Sequence, residues 1–313
     1  MTTTETRPAV SDAGPSAAAA PLLDAPLAAG TPQRPPGRPR ARFAAFARRL
    51  RTDPLLVLAI AVFAVVLLWS FWPSLFTAHH PTKIDSDSML LPPSAEHLFG
   101  TDQVGRDQFS RVVHGTALSM AATLVAVLVG LTIGSLVGLL AGYLRGWFDL
   151  VTMRIVDVII SLPSLLLSLI IVTAIGFGTV NVAIAVGLAS SASFARIMRA
   201  EVIKVASSTY VQASRLYGGR PRHALFRHIL PNSIAPVLSL AALEFGTAIL
   251  AVAALSFLGF GATPPTPEWG ALISEGRNYL ATAWWLTVIP GLILAVVVVA
   301  ANHISRAFQK GTN

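Results

Sequence analysis

The sequence predicts an all-α polytopic membrane protein, and three observations carry that prediction. Apolar residues make up 54% of the 313-residue chain and charged residues only 12%. An ordinary soluble domain carries about 25% charged residues, so this chain has too little polar surface to wrap a core. Six apolar segments, at roughly 54–76, 116–142, 151–175, 179–198, 233–259 and 284–305, reach the ~20 residues that a helix needs to cross the hydrocarbon layer. Finally, the basic residues are sided. With the N-terminus inside, only Lys83, Arg106, Arg111 and Arg277 of the 23 lysines and arginines fall outside, the bias expected of an N-in, C-in chain with six spans.

The elements follow in chain order. Residues 1–50 are rich in Ala, Pro, Thr and Gly and turn basic from Arg34 to Arg51. They bury too little apolar surface to offset ordering entropy, which predicts a disordered cytoplasmic tail ahead of a membrane domain at 51–313. The tail runs directly into the first apolar segment, unlike a cleaved signal peptide. Backbone groups in lipid must bond internally, so each span is a helix. In the second, Gly130, Gly134, Gly138 and Gly142 recur every fourth residue, a glycine face that lets a neighbouring backbone approach closely. Pro163 and Pro290 are expected to kink or locally unwind the third and sixth spans. Asp157 is placed to pair with Arg154 at i−3. An external loop is expected at 77–115, a second external stretch at about 260–283, and a basic cytoplasmic segment at 199–232.

Several function classes drop out. The chain has no cysteine, which excludes disulfides and thiolate chemistry. The net charge of +8 follows membrane orientation rather than a soluble basic face, so lipid and not nucleic acid is the expected partner. No G-x-x-x-x-G-K-[ST] loop occurs, and none of Lys83, Lys204 and Lys310 follows a glycine. No paired carboxylates, H-E-x-x-H or G-x-S-x-G lie in the spans, so no catalytic residue is assigned. His79, His80, His97 and His114 are irregularly spaced and lack thiolates, which speaks against a metal site. Trp284 and Trp285 suit interface anchoring, and Trp269 suits an external gate. Glu244 is the carboxylate deepest in an apolar run. It is expected to be protonated or hydrogen-bonded across helices, with a place on a translocation path or in proton coupling as alternatives.

The cytoplasmic segment reads Tyr210-Val-Gln-Ala-Ser-Arg-Leu-Tyr-Gly218 and continues to Arg227-His-Ile-Leu-Pro231-Asn232. It predicts a short helix, a turn at Gly218–Gly219, a second helix opened by Pro221 and a stop at Pro231. Such a helix–turn–helix below the membrane offers another protein a surface to push on.

Residues 212–231 resemble the EAA loop of permeases in ABC importers. Gln212, Ala213, Ser214, Gly218, Leu230 and Pro231 occupy the pattern's places, with Arg227 and His228 in a run similar to the peptide-permease version. Gln212 replaces the acidic residue and Ser214 the second alanine. Upstream, Gly100-Thr101-Asp102-Gln-Val-Gly105-Arg106-Asp107, followed by Ser110-Arg111, resembles the G-T-D-x-x-G-R-D-x-x-S-R signature of dipeptide and oligopeptide permeases. Leu255-Ser-Phe-Leu-Gly259 and Pro264-Pro-Thr-Pro-Glu268-Trp269-Gly270 are similar to the same group, and the pattern is that of its C-type subunit.

The resemblance covers about 54–306 and implies a type I ABC importer permease fold. It also implies four kinds of partner beyond the bilayer of the bacterial inner membrane: a homologous second permease, two cytoplasmic ATPase subunits that hold the ATP and Mg, and an external substrate-binding protein. The chain itself would need no cofactor. Residues 212–231 would dock on an ATPase. Arg106 would form a local charge network with Asp102 and Asp107, and the signature with Glu268 and Trp269 would meet the binding protein. Dipeptides and short oligopeptides lead as substrates, with nickel chelates, glutathione and haem as alternatives. An ion-coupled carrier would require inverted repeats and a midplane ion site.

Overall fold

The computed structural model describes residues 53–216 and 221–310. The expected disordered tail and Gly218 lie outside the described residues. Among these residues the chain is helical, with one isolated bridge, Thr101 to Asp107, in place of any strand.

Local chemistry sets the helix limits. Helix α1 (Pro54–Phe71) starts because Asp53 accepts hydrogen bonds from the Leu55 and Leu56 amides, with Pro54 in the first turn. Partial desolvation acts to raise the Asp53 carboxyl, but those amides and the His303 ring outweigh it and hold it below its ordinary value. Helix α2 (Gln108–Leu144) is capped by Asp107 and stops where Arg145 and Gly146 both turn to positive φ. It begins eight residues ahead of the expected span at 116–142, because the cap lies inside the signature.

The predicted third span at 151–175 is two helices, α3 (Gly146–Ser161) and α4 (Ser164–Ile175), bent by 100°. Pro163 forces Leu162 out of the helical region to φ −87°, ψ 139°. The proline therefore breaks the span rather than kinking it. Helix α5 (Thr179–Ala206) runs eight residues past the expected 198. Two short helices follow, α6 (Thr209–Leu216) and then the start of α7 (Pro221–Phe257), whose residues Leu225–Ile229 form a π turn. After α8 (Trp269–Gly276), helix α9 (Trp285–Lys310) is the last described element.

Pro231 does not stop the helix. In the π turn the Leu230 amide bonds to the Leu225 carbonyl, five residues back. That wider winding reshuffles the ladder where Pro231 lacks a donor, and the Asn232 side chain caps the His228 carbonyl at 2.6 Å. Pro290 likewise interrupts nothing: it lies in the second turn of α9, and the helix runs on through it.

Among the described residues, five helices (α1, α2, α5, α7 and α9) are long and apolar enough to cross a membrane, and the bent α3–α4 pair qualifies only as a unit. Their outer faces carry Leu55, Leu58, Phe71, Leu136, Leu292 and Val299, each more than half exposed. Exposed apolar area on that scale needs a lipid or protein cover.

The interior is held by close backbone approach. A Cβ built on Gly134 would stand 2.2 Å from the Ser191 carbonyl oxygen, and one on Gly138 2.3 Å from that of Ala195. Gly187 on α5 returns the same fit against Ala126 at 2.6 Å. The four-residue glycine spacing thus marks the α2–α5 seam. Ala126, Val182, Ala185, Val186, Ala248 and Val252 continue this core into α7.

Asp157 does not pair with Arg154. The bend turns the polar face of α3 toward α5, where Asp157 meets Arg196 at 2.6 Å and Asp149 meets Arg199.

Candidate functional site: a charge clamp and a coupling segment at opposite ends of one helix

The signature motif folds into a loop that only its own residue types permit. Gly100 and Gly105 sit at φ +72° and +78°, where a side chain is strained. A Cβ on Gly105 would also lie 1.7 Å from the Asp85 carbonyl oxygen. Thr101 is fully buried and stitches the loop: its hydroxyl donates to the Ser88 carbonyl at 2.5 Å and accepts from the Leu91 amide at 2.8 Å.

Asp102 is the hub. Its Oδ1 accepts the Val104 and Arg106 amides, both at 2.9 Å, while Oδ2 takes Arg106 Nε and Arg111 Nη1, both at 2.5 Å. The same two guanidiniums reach Glu275 of α8, at 3.1 Å from Arg106 and 3.0 Å from Arg111. The result is a two-plus-two charge clamp tying the loop, α2 and α8 together. Arg111 is fully buried, and an arginine is buried at low cost only when paired and hydrogen-bonded this way.

Two expectations change here. Asp107 is not part of the Arg106 network, because capping points it elsewhere: Oδ2 accepts the Ser110 amide at 2.7 Å and Oδ1 faces His97. Glu275, the fourth charge of the clamp, was not legible in the sequence. It is 164 residues from Arg111, and only the packing of α8 on α2 brings it in.

Glu268 and Trp269 are each 1% exposed, so neither offers a side chain to an external protein in this conformation. Glu268 gathers three segments, accepting from Thr179 Oγ1 at 3.0 Å, Ser256 Oγ at 2.5 Å and the Ala262 amide at 2.8 Å. Trp269 donates Nε1 to the Val112 carbonyl and its amide to Ser119 Oγ, both at 3.1 Å. The burial of Asp102, Arg106, Asp107 and Arg111 carries the same correction. Their charges are consumed internally, and what the clamp presents outward is the loop's exposed Ile84, Met89 and Leu98. Trp285 is also no interface anchor. It is buried, with Nε1 on the Thr101 carbonyl at 3.3 Å, whereas Trp284 is half exposed.

The other end of α2 meets the candidate coupling segment, α6 and the start of α7. Tyr143 donates its hydroxyl to the Pro221 carbonyl at 2.9 Å. Val211, Leu225 and Ile229 are buried against Leu139 of α2 and Phe194, Met198 and Val202 of α5. The opposite face is left open: Leu216 is 88% and Phe226 62% exposed, and Gln212, Arg227 and Pro231 are exposed beside them. Gln212, in the place of the pattern's acidic residue, donates to the Ser207 carbonyl at 3.0 Å and lines a cavity of about 220 Å³ with Tyr143 and Arg145. Ala213, Ser214, His228 and Leu230 are half-buried.

Glu244 is half-buried on α7 and accepts from Thr247 Oγ1 at 2.8 Å. The bond lies within one helix, one turn on, rather than across helices.

Comparison with known proteins agrees with this architecture. Residues 134–313 match the family described as binding-protein-dependent transport system inner membrane component. The probable D,D-dipeptide transport system permease protein DdpC of Escherichia coli (strain K12) is 39% identical over 269 residues, covering 86% of this chain and 90% of that protein. The dipeptide transport system permease protein DppC of Alkalihalophilus pseudofirmus is 36% identical over 262 residues, covering 84% and 86%. Among solved structures, the crystal structure of an amino acid ABC transporter with histidines aligns with a TM-score of 0.50 at 21% identity, over 64% of this chain and 93% of that one, a likeness of fold. With a helical membrane fold, a buried signature clamp and relatives of this similarity over most of its length, the chain belongs to the binding-protein-dependent transport inner-membrane components, in the group of the dipeptide ABC permeases.

Proposed function

We propose that the chain is the C-type permease of an ATP-driven bacterial importer of dipeptides and short oligopeptides. It lies in the inner membrane N-in and C-in, with the bent α3–α4 pair as the third of six spans. It forms half of the translocation path, and a homologous permease forms the other half. Two ATPase subunits carry ATP and Mg, so this chain catalyses nothing and needs no cofactor. A substrate-binding protein delivers the peptide to the signature end.

The observation that carries the proposal is the two-faced coupling segment. Its inner face is packed on α2 and α5, while Leu216 and Phe226 stand exposed among polar neighbours. A surface helix gains nothing by presenting two large apolar side chains to water, and burial of each against a partner is worth roughly 1.5–3 kcal/mol. The names of the relatives support the peptide substrate. The sidedness of the basic residues supports the orientation. On the signature side, Ile84, Met89 and Leu98 are the surface assigned to the binding protein, held in place by Gly100 to Arg111. Glu244 is assigned to the translocation path as a polar lining group already hydrogen-bonded to Thr247.

The test is reconstitution of the whole importer in proteoliposomes with Leu216→Asp or Phe226→Asp in this subunit. Both side chains are exposed, so folding of the permease is retained. Peptide uptake and ATP hydrolysis stimulated by the loaded binding protein should collapse together. Unchanged uptake, or uptake that persists with the ATPases omitted and follows a proton gradient, would sink the proposal. Uptake of labelled dipeptide against glutathione, a nickel chelate and haem in the same vesicles decides the substrate.

A further inference from the structure

Three metal-ligating side chains meet at the signature end without serving the clamp. Capping fixes Asp107, which spends Oδ2 on the Ser110 amide and leaves Oδ1 3.0 Å from His97 Nδ1. His79 lies against this pair, its ring centroid 5.5 Å from that of His97. One ligand atom from each of His79, His97 and Asp107 falls within 4.8 Å of the other two. Asp107 is 5% and His97 12% exposed at the side chain, and His79 is open to solvent. The His79 backbone is nevertheless held, its carbonyl accepting from Ser110 Oγ at 2.5 Å and its amide donating to Thr77 Oγ1 at 3.1 Å.

We propose that His79, His97 and Asp107 form a binding site for a zinc-class divalent ion, with the fourth position open to water on the His79 side. Two imidazoles and one carboxylate are a donor set that zinc takes readily, at about 2.0–2.2 Å per ligand. Ligand atoms around a tetrahedral ion then stand about 3.4 Å apart. The His97–Asp107 spacing is already close to that value, and rotation of the exposed His79 ring supplies the remaining closure. The other two histidines of this region are engaged elsewhere: His80 Nδ1 with the Thr82 hydroxyl at 3.0 Å, and His114 Nδ1 with the Ser110 carbonyl at 2.9 Å. The irregular spacing that spoke against a metal in the sequence is explained, because the three ligands come from the segment after α1, the signature loop and the cap of α2. A bound ion would staple the segment after α1 to the start of α2. It would close the loop that displays Ile84, Met89 and Leu98.

The alternative is a plain His97–Asp107 hydrogen bond with His79 stacked beside it, and binding separates the two. The full chain, tag-free in its assembled complex, is stripped with a chelator and titrated with zinc, and with cobalt for its visible absorption. Each histidine variant is prepared in the same complex, so sites on other subunits cancel. One zinc per copy of this chain is expected. His79→Gln and Asp107→Asn should each weaken it by at least ~10-fold, the loss seen even for partners one shell further out. His80→Gln should leave it unchanged. His79→Gln touches an exposed ring, and Asp107→Asn keeps an oxygen for the Ser110 amide, so both variants should unfold as the parent does without metal. No saturable zinc attributable to this chain, equal affinity in His79→Gln, or equal loss in His80→Gln would each overturn the site.

Discussion

Replacing Asp102 by Asn tests the clamp at its hub. The substitution keeps an oxygen for the Val104 and Arg106 amides and removes only the charge that faces two guanidiniums. Arg106 and Arg111, at 7% and 0% side-chain exposure, are then left to share Glu275. Removing one partner of a buried ion pair costs about 3–5 kcal/mol, because the remaining charge stays buried and uncompensated. Asp102 at 3% exposure belongs in that range, whereas Glu275 at 18% is partly relieved by water. Glu275→Gln should therefore cost less.

In a chain of this size about 1 kcal/mol moves the unfolding midpoint by roughly 2–4 °C. Asp102→Asn is thus expected to lower it by at least ~6 °C in detergent, followed by intrinsic tryptophan fluorescence. Tryptic cleavage after Lys83, in the loop that the clamp holds, should accelerate in parallel. Adding Arg106→Gln restores neutrality around Arg111, so the double variant should be less destabilised than the sum of the singles, by about 0.5–3 kcal/mol. A midpoint for Asp102→Asn within 2 °C of the parent, or strict additivity in the double variant, would refute the idea that charge balance holds this end together.

The seam between α2 and α5 makes a steric prediction. Gly134→Ala places a methyl 2.2 Å from a backbone oxygen, where ordinary contact starts at 3.4 Å, so the helices must part, at a cost of about 1–3 kcal/mol. Gly130→Ala meets the movable Ser190 hydroxyl at 2.4 Å and a backbone oxygen, that of Gly187, only at 3.0 Å, so it should cost less in the same thermal assay. The cap of α1 makes a pH prediction. The Asp53 carboxyl is held below its ordinary value of 3.8, so its stabilisation is present above that value and fades as pH falls through the lower folded one. Asp53→Ala should lower the unfolding midpoint at neutral pH, and the difference from the parent should shrink in acid.

What the sequence made legible was the part of the fold written in local chemistry. Apolar run length and glycine spacing rest on neighbours within a few residues and located the apolar helices and the α2–α5 seam, whereas the Asp107 cap that starts α2 eight residues early went unread. Proline was legible as a perturbation but not in its outcome. Pro163 breaks the chain because Leu162 has an extended conformation open to it, whereas Pro231 is absorbed by a π turn that no residue pattern announces. The site was half legible for the same reason. The signature pointed to Asp102, Arg106 and Arg111, but Glu275 enters through packing across 164 residues. The resemblance placed Glu268 against the binding protein, whereas three donors from three segments make its burial tolerable. Gly218, which the coupling pattern singles out, lies outside the described residues.

The geometry of α2 joins the two halves of the site. Its 37 residues span about 55 Å at 1.5 Å per residue, well beyond a hydrocarbon core of about 30 Å. One end carries the clamp through Arg111, and the other touches the coupling segment through Tyr143. A helix of that length transmits displacement only if something keeps it from bending or sliding, and the glycine seam does so by locking α2 to α5 at backbone distance. Under the proposed function, a push on that segment would move α2 and α5 as one body and reach the loop that the clamp holds. The bent α3–α4 pair packs on the same body, with Val172 buried among Val182, Ala183 and Val186 and Val156 against Ala192 and Ala195, and with the half-exposed Asp157–Arg196 pair and the partly buried Asp149–Arg199 pair beside them. Ion pairs open to water are worth at most about 1 kcal/mol. The α3–α4 unit is accordingly held to α5 more by the buried Val156 and Val172 than by its charges.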